Sequence, residues 1–514
     1  MKKQEIVLNN DKYPNQKSQR RLFQEKFVGL SESSKIGLII FVVLFLSYAF
    51  FMQNYDNANI VSRMALTMSI LQERTVSINN FHEATIDKAF YEGDYYSDKA
   101  PGLSFFSLPV SAVVYNLMRL TEPNPIFIKD GWVTSRFGHL VYFNTLITSG
   151  LLTAITALLI YYVSQLVGSS ISGAVFAMVS FGLATQAWGW ATALFGHALA
   201  SACLFLGFAA ILYIPRYRDD VRKIGILSVA AGALLAWAIV VEYSAAIASV
   251  IIGLYGLYTI RNWGRSTMYY IITRASAGFI LLIIPLLIYQ YIAFGSIFSV
   301  GYNYVPPLHV GMKEGFLGLT KPDLEVFFKI TLSPYRGLFW FSPILLLSPI
   351  GIYYLWRDHN TRPIAIMIVI IAAYYLLFNS SYFYWDGGFS TGPRHLTPII
   401  PFLCLPLSKV WTNARRGYKP ILVFIFSTSF LIALMSAAIN MFSPWDYENP
   451  LFDILLPDFL NDGGRNLFLI LLRRISPPGP NEILDSRVIF RLSMVPMVLI
   501  WIVGYIGVAN RINK

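Results

Sequence analysis

The chain has 514 residues, of which 55% are hydrophobic and only 13% are charged. Together with a mean hydropathy of +0.54, this composition excludes an ordinary soluble globular protein. The formal net charge of +12 raises the question of nucleic acid, but the basic residues are spread among connectors between apolar runs. The composition therefore indicates a polytopic membrane protein with no nucleic-acid partner.

Thirteen apolar runs follow a basic leader, residues 1–35, which we expect to be cytoplasmic. The first run, residues 36–52, lacks a small-residue cleavage pattern, so it is interpreted as a retained anchor and not a signal peptide. The runs begin near Ile36, Leu103, Leu140, Ile171, Ala198, Ile224, Ala245, Ala275, Gly337, Pro363, Leu396, Pro420 and Leu492.

The charge of the connectors indicates how many of these runs cross the membrane. The short basic connectors should all be cytoplasmic by the positive-inside rule, as should the tail; the connectors are residues 216–223, 261–274, 357–362 and 409–419. Thirteen crossings would place all of them outside. Treating residues 103–120, a short run that contains Pro109, as a juxtamembrane or re-entrant helix removes the conflict.

The resulting prediction is an all-α, polytopic helical protein with about twelve transmembrane helices and both termini cytoplasmic. A single transmembrane domain covers residues 36–514. The long first outer loop carries juxtamembrane helices, and the outer loops are residues 53–138, 295–336, 379–395 and 440–491. Five of the six histidines lie on this outer face or at its rim: His82, His139, His197, His309 and His395.

The most polar stretch of the first outer loop is residues 86–102, I-D-K-A-F-Y-E-G-D-Y-Y-S-D-K-A-P-G. It gathers Asp87, Asp94, Asp98 and two lysines among tyrosines, next to an apolar run. Ionisable groups held at a bilayer surface suit a site that meets a charged headgroup while the apolar tail of the substrate stays in lipid. We therefore predict a site on the outer face.

Six motifs spread along this face carry a family resemblance. They are Y-Y-S-D-K-A-P-G-L-S (95–104), L-F-G-H-A-L (194–199), V-V-E-Y (240–243), F-G-S-I-F-S-V-G-Y (294–302), S-P-Y-R-G-L-F (333–339) and W-D-G-G-F-S-T-G-P-R-H-L (385–396). As a set they resemble the GT-C superfamily of integral-membrane glycosyltransferases. The likeness is greatest to the bacterial branch related to protein O-mannosyltransferases and to the aminoarabinose transferases of lipid A.

This resemblance implies a GT-C-like fold and transfer of a monosaccharide from a polyprenyl-phosphate donor. The acceptor would be a glycolipid, a glycan or a protein, reached at the outer face of the cytoplasmic membrane of a bacterium. A polymerase or ligase of lipid-linked glycans is the main alternative, with a diphosphate-linked oligosaccharide as its donor. A secondary transporter is a more distant one, because the ionisable residues gather in outer loops and not near the bilayer midplane.

Inverting transfer needs a carboxylate that takes the proton of the attacking hydroxyl. Asp87 and Asp98 are the catalytic candidates, although Asp87 can equally cap a short helix. In GT-C enzymes the key acid lies in the first outer loop, sometimes soon after the first span, where this chain offers Asp56 and Asn59. The identity of the base is therefore left open among these aspartates.

The departing phosphate needs cations, and four residues are assigned to it: Lys99, Arg394, Arg336 and His395. Asp98 and Lys99 resemble the acidic-Lys-Pro element of the aminoarabinose transferases, whose lysine is thought to meet the lipid phosphate. Arginine can grip phosphate with two prongs, and both arginines lie where a span meets the outside. The alternatives are a lysine that snorkels to the membrane interface and a histidine that caps a helix.

Sugar or acceptor contacts are assigned to His197, Glu242, Trp385, Asp386 and Tyr96. Trp385 can stack on a pyranose ring and Asp386 can bind hydroxyl groups. Each of three residues also has an alternative interpretation. His197 can belong to an interfacial aromatic belt, Glu242 to a hydrated hairpin tip and Asp386 to a simple turn. No H-E-x-x-H motif or cysteine cluster is present, so no cofactor is expected, and a divalent metal is not indicated by the sequence.

Overall fold

The computed structural model describes residues 31–51, 53–305, 311–312, 314–461, 464–475 and 485–512. Most of the basic leader lies outside the described residues, and so does His309. The described residues are mainly helical, with two short β-hairpins, which confirms the predicted all-α membrane fold.

The first part of the chain, through residue 294, runs from the anchor helix to the longest helix of the bundle. Its elements are α1 (Glu32–Phe50), α2 (Ala58–Met68), β1 (Lys88–Tyr91), β2 (Asp94–Ser97), α3 (Gly102–Arg119), β3 (Ile128–Lys129), β4 (Trp132–Val133), α4 (Ser135–Thr145), α5 (Leu152–Leu166), α6 (Ile171–Leu183), α7 (Ala187–Ala191), α8 (Gly196–Tyr213), α9 (Val221–Val241), α10 (Ala245–Ile260) and α11 (Arg265–Phe294). A π-helical segment, Leu146–Leu151, joins α4 to α5 without a break.

The remaining part alternates short and long helices. Its elements are α12 (Leu324–Thr331), α13 (Leu338–Phe341), α14 (Ser348–Arg357), α15 (Arg362–Ser380), α16 (Ile400–Cys404), α17 (Leu407–Asn413), α18 (Lys419–Ala438), α19 (Leu456–Asn461), α20 (Leu467–Ile475) and α21 (Ser486–Ile512). Several helices begin at a side-chain cap; for example, the Asp220 carboxylate accepts a hydrogen bond from the Lys223 amide.

Within the described residues, eight helices are long and apolar enough to cross a membrane. They are Glu32–Phe50, Ser135–Leu166, Gly196–Tyr217, Val221–Val241, Arg265–Phe294, Arg362–Ser380, Arg416–Ala438 and Ser486–Ile512. Two further predicted runs form the shorter apolar helices α6 and α10. The runs at Gly337 and Leu396 are divided into short helical pieces. The number of twelve crossings stays a prediction.

The breaks in the run that starts near Leu396 follow from its prolines. Pro398, Pro401 and Pro406 each remove a backbone donor, and the chain changes from a 3-10 helix, Arg394–Ile399, to α16 and then α17. The run predicted not to cross, by contrast, forms one helix, α3, despite Pro109. It is not among the eight candidate spans of the described chain.

The first outer loop contains two small hairpins that the sequence analysis did not predict. In β1–β2, Lys88 pairs with Ser97 and Tyr91 with Asp94. Both turn residues, Glu92 and Gly93, have positive φ, as a two-residue type I′ turn requires. Asp130-Gly131 turns β3–β4 in the same way. The Glu-Gly and Asp-Gly pairs were the signals for these turns.

The main core is one large apolar cluster within the helical bundle, and a second, smaller cluster is formed by Ile214, Ile224, Ile260 and Ile271. The largest fully buried side chains of the main core include Trp188, Trp190 and Tyr161. Helix α9 packs closely on α11, where Gly232 and Gly278 let the two backbones approach, since a Cβ at either position would meet a carbonyl of the other helix. These packed helices hold the loops that form the site.

Candidate active site

A cavity of about 820 Å³ opens among the first outer loop, the ends of α8 and α9, and the loops that contain residues 382–395 and 440–445. Eight of the eleven residues assigned to the site from sequence line it: Asp87, Asp98, Lys99, His197, Glu242, Asp386, Arg394 and His395. Arg336, Trp385 and Tyr96 do not. Residues from motifs up to about 300 positions apart in the chain therefore meet around one space.

The β1–β2 hairpin brings Asp87 and Asp98 together at its base. The two residues directly flank the cross-strand pair of Lys88 and Ser97, so the strand pairing sets them side by side. The Lys99 ammonium lies 3.1 Å from Asp87 and 2.9 Å from Asp98. The predicted cation and the two predicted acids thus form one largely buried cluster in the cavity wall.

This cluster keeps Lys99 charged. Burial by itself would lower the pKa of the ammonium, but the two carboxylates outweigh it and hold the pKa above its ordinary value. Each carboxylate in turn lies within 3.1 Å of the Lys99 ammonium. Because an ionised acid paired to a fixed ammonium is a weaker proton acceptor, the pairing argues against both acids as the base.

A second ion pair lines the cavity, and the sequence analysis missed its arginine. Arg63 of α2 donates to Glu242 at 2.8 Å, and it also donates to the Asn59 side chain and the Ala100 carbonyl. Arg63 is only 3% exposed. Its partner lies 179 residues further along the chain, so nothing local pointed to the pair.

Glu242 also faces His197, whose Nδ1 is 3.8 Å from the carboxylate. The carboxylate fills the space beside Gly196, where a Cβ would collide with its Oε1. Glycine at the start of α8 therefore makes room for the acid. The sequence placed Glu242 between two spans, and the structure places it at the end of α9 with its side chain in the cavity wall.

Arg394 is the buried cation of this cavity that has no acid beside it. It is 8% exposed, and within the described residues its guanidinium has no hydrogen-bond or ion-pair partner; Nε is fully buried. The charge instead lies over the rings of Phe195, at 5.4 Å, and Tyr384, at 5.6 Å. A buried guanidinium without an acceptor is costly, and an anion bound in the cavity would satisfy it.

His395 lies beside this arginine and is neutral. Its Nε2 is 3.2 Å from the Tyr384 carbonyl, to which it donates as Nε2–H. Burial, with the adjacent Arg394 charge, lowers the pKa of the imidazole well below its ordinary value. His197 and His395 pack edge to face, with ring centroids 5.3 Å apart.

The W-D-G-G segment forms a tight turn on the cavity wall. The Asp386 carboxylate accepts from the Gly388 amide at 3.0 Å, and both glycines have positive φ. A Cβ on Gly387 would lie 2.8 Å from Arg394 Nε, so the glycine backbone packs flat against the arginine. Asp386 is thus a turn residue that also lines the cavity.

Three predicted residues lie behind the wall. Trp385 packs on Tyr335 and Lys329. Tyr96 is buried against Phe294. Arg336 is fully buried and donates to backbone carbonyls, so the structure does not place its guanidinium at the cavity surface. Sequence position alone could not distinguish these side chains from ones that face the cavity.

Asp56 lies two residues before the start of α2. It is exposed and lines the cavity, and within the described residues it has no hydrogen-bond or ion-pair partner. The sequence analysis named it beside Asp87 and Asp98. Further lining residues that it missed as site residues are Arg63, Asn54, Asn57, Tyr302, Tyr382, Tyr384 and Asn440.

The described residues contain no group of three His, Cys, Asp or Glu side chains arranged to hold a metal ion. Lys99 and Arg63 carry the positive charge next to the acids instead. Metal independence stays a prediction.

No family model and no curated protein matches this chain. Among solved structures, it is similar to ArnT from Cupriavidus metallidurans in the apo state, with 15% identity, a TM-score of 0.45, and coverage of 92% of this chain and 74% of that one. The ArnT structure bound to undecaprenyl phosphate gives 16% identity, a TM-score of 0.44, and coverage of 93% and 77%.

The apo oligosaccharyltransferase of Archaeoglobus fulgidus is also similar, with 12% identity and a TM-score of 0.47 over 89% of this chain and 59% of that one. The superfamily resemblance based on the motifs stays a prediction.

Proposed function

We propose that this protein is a membrane glycosyltransferase that moves a monosaccharide from a polyprenyl-phosphate donor to an acceptor at the outer face of the membrane. The observation that carries the proposal is the buried, unpartnered Arg394 guanidinium in a cavity that also holds Asp56. The Arg394 guanidinium is suited to stabilise a departing phosphate, and the Asp56 carboxylate is suited to take the proton of an attacking hydroxyl.

The charges around the cavity support a single anionic group beside Arg394. Arg63 is neutralised by Glu242 and Lys99 by two aspartates, whereas Arg394 has no such partner in the described chain. A phosphate monoester linked to a sugar has the right charge and the right oxygens for a two-pronged contact. Lys99 lines the same cavity, where its two aspartate partners keep its pKa high and the ammonium protonated.

The proposed reaction follows from these positions. The acceptor hydroxyl gives its proton to a carboxylate, and its oxygen attacks the anomeric carbon from the side opposite the phosphate. The bond between that carbon and the phosphate oxygen breaks, and the phosphate leaves with the electron pair. Arg394 stabilises the charge that grows on this oxygen, so its contact strengthens in the transition state.

We propose Asp56 as the base, in preference to Asp87 and Asp98. Both of the latter lie within 3.1 Å of the Lys99 ammonium, while Asp56 is exposed to the cavity. Asp87 and Asp98 then hold Lys99 in place. His197, Glu242 and Asp386 line the same space and are proposed to contact the sugar or the acceptor.

The test is release of polyprenyl phosphate by the purified protein from a panel of polyprenyl-phosphate monosaccharides, with glycolipids, glycans and peptides as acceptors. Undecaprenyl phosphate carriers are the first choice. Turnover only with diphosphate-linked oligosaccharides would contradict the proposal and favour a glycan polymerase or ligase. Substrate movement across vesicles without bond cleavage would favour a transporter.

The base is tested with Asp56→Asn, Asp87→Asn and Asp98→Asn. Loss of a general base should lower turnover by roughly 10² to 10⁴ fold with little change in donor affinity. We expect this result for Asp56→Asn. Loss of Asp87 or Asp98 should weaken donor binding as well, because Lys99 loses an anchor. A native rate for Asp56→Asn would return the role to Asp87 or Asp98.

A further inference from the structure

Arg336 has an unusual set of partners for an arginine predicted to bind phosphate. It is completely buried, and its nitrogens donate to the carbonyls of Tyr335 at 3.1 Å, Asp386 at 3.3 Å and Gly388 at 3.0 Å. Nη2 also lies 3.5 Å from the Ser443 carbonyl and 3.4 Å from that of Pro444. The guanidinium therefore joins three backbone segments at one point.

Two of those segments form the cavity wall next to Arg394. Residues 386–391 run beside residues 440–445, with the Ser390 amide donating to the Ser443 carbonyl and the Thr391 amide to the Met441 carbonyl. Arg336 fastens both segments at the end where this pairing stops. Its neighbour Tyr335 adds a hydroxyl hydrogen bond of 2.9 Å to the Trp445 carbonyl.

The fastened turn is the one that supports Arg394. Arg336 contacts the carbonyls on either side of Gly387, and Gly387 is the residue whose backbone packs against the Arg394 side chain. A shift of the turn by a few tenths of an ångström would open or close that contact. The place of the free guanidinium in the cavity thus depends on contacts that Arg336 makes on the other side of the turn.

We propose that Arg336 is a positioning residue, which acts through the Asp386–Gly388 turn to hold Arg394 in place for the donor phosphate. It does not itself touch the phosphate. The inference rests on the proposed function of Arg394. It replaces the sequence-based assignment of Arg336 as a phosphate ligand.

The experiment compares Arg336→Lys with Arg362→Lys in the full-length protein. Arg362 is a matched control, since its Nε also donates to a carbonyl, that of Trp356, but it lies at the start of α15, away from the cavity. Lysine keeps the charge of Arg336 but cannot reach carbonyls on three segments at once. Binding of undecaprenyl phosphate and the KM for the donor are measured beside the thermal midpoint.

We expect Arg336→Lys to weaken undecaprenyl phosphate binding and raise the donor KM by roughly tenfold or more, with Arg362→Lys unchanged. Gly387→Ala, which pushes on Arg394 directly, should weaken binding in the same way. The double variant Arg336→Lys with Gly387→Ala should bind undecaprenyl phosphate no more weakly than whichever single variant binds it less tightly. The two effects are not additive because both substitutions act on the same contact.

A lower thermal midpoint or a smaller active fraction with native KM and native undecaprenyl phosphate affinity would overturn the inference, since that is the result of a merely structural role. Arg394→Ala distinguishes failure of the positioning role of Arg336 from failure of the proposed phosphate site. If it weakens undecaprenyl phosphate binding while Arg336→Lys does not, only the positioning role fails. If Arg394→Ala also binds normally, the proposed phosphate site itself fails.

Discussion

At the scale of single residues, the cavity is organised by how each charge is neutralised. Arg63 has Glu242, Lys99 has two aspartates, and Arg394 has aromatic rings but no acid within the described chain. Residue type alone did not reveal this difference. It appears only when the partners are known, and it separates cations that hold the wall together from the one available to a ligand.

The role of Arg394 predicts the outcome of a conservative substitution. Arg394→Lys should lower kcat/KM for the donor by roughly 10 to 100 fold, because one ammonium cannot replace a two-pronged grip on phosphate oxygens. Steady-state kinetics with the polyprenyl-phosphate donor measure this, with Arg362→Lys as control. Native kinetics would remove Arg394 from the phosphate site and leave Lys99 and Arg63 as the other cations that line the cavity.

His395 predicts a pH dependence of stability. Its pKa is depressed in the folded protein, so below about pH 6.5 the unfolded chain binds a proton that the folded protein does not. Stability should therefore be complete above that pH and fall as the pH drops towards the depressed value. Burial and the nearby Arg394, His197 and Lys99 lower the pKa of the ring, and they outweigh the hydrogen bond to the Tyr384 carbonyl, which acts in the opposite direction.

The measurement is the thermal midpoint of the purified protein between pH 7.5 and pH 5. His395→Gln keeps a donor for the Tyr384 carbonyl but has no titrating group, so its midpoint should fall less steeply. The difference in slope cannot exceed about 1.4 kcal/mol per pH unit for one proton. Equal slopes for the two proteins would show that His395 does not titrate in this range.

At the scale of elements, the ends of helices and a hairpin build the site. The end of α9 supplies Glu242, the start of α8 supplies Gly196 and His197, and the β1–β2 hairpin supplies the acids. Helices fix these ends rigidly because their apolar faces are packed in one core. The chemistry is thus held by rigid elements although most of its side chains lie in connectors.

The close contact between Gly196, at the start of α8, and Glu242, at the end of α9, predicts the effect of adding one methyl group. In Gly196→Ala the new Cβ would displace the Glu242 carboxylate from its place beside Arg63, so turnover should fall by roughly tenfold or more. Gly253→Ala is the matched control, because it is also helical but has nothing within 4 Å of the added Cβ. A native rate for Gly196→Ala would show that the ion pair is not needed for activity.

The sequence predicted part of this arrangement. The segment 86–102 is recognisable because its charges are dense and local. Glu242 stands out because it interrupts an apolar stretch, and Arg394 because it lies where an apolar run meets the outside. Arg63 was missed because its partner is distant in the chain. Arg336 was assigned to phosphate because the sequence shows an arginine near the end of an apolar run. The sequence does not show the backbone carbonyls to which its guanidinium donates in the structure.

At the scale of the whole molecule, the site lies on the side where the long connectors are. The cavity is lined by residues from all of the predicted outer loops and by none from the short basic connectors. This distribution agrees with a site on one side of a helical bundle. A labelling experiment is needed to determine which side of the membrane this site faces.

Single cysteines at Asp94 and Lys129 test the predicted topology on either side of α3. Because we expect α3 not to cross, both Asp94→Cys and Lys129→Cys should react with an impermeant thiol reagent from outside. The native Cys203 and Cys404 are buried and serve as the background. Labelling of only one of the two positions would show that α3 spans the membrane, and the predicted orientation of the later helices would reverse.

The length of the β1–β2 hairpin is constrained by the two acids at its base. Their separation depends on strands of equal length on both sides of the Glu92-Gly93 turn. One extra residue in a single strand would form a bulge and turn the following side chains to the other face. Among relatives, insertions and deletions here should therefore come in matched pairs, one per strand. The β3–β4 hairpin, which contributes no residue to the cavity, should vary in length without this restriction.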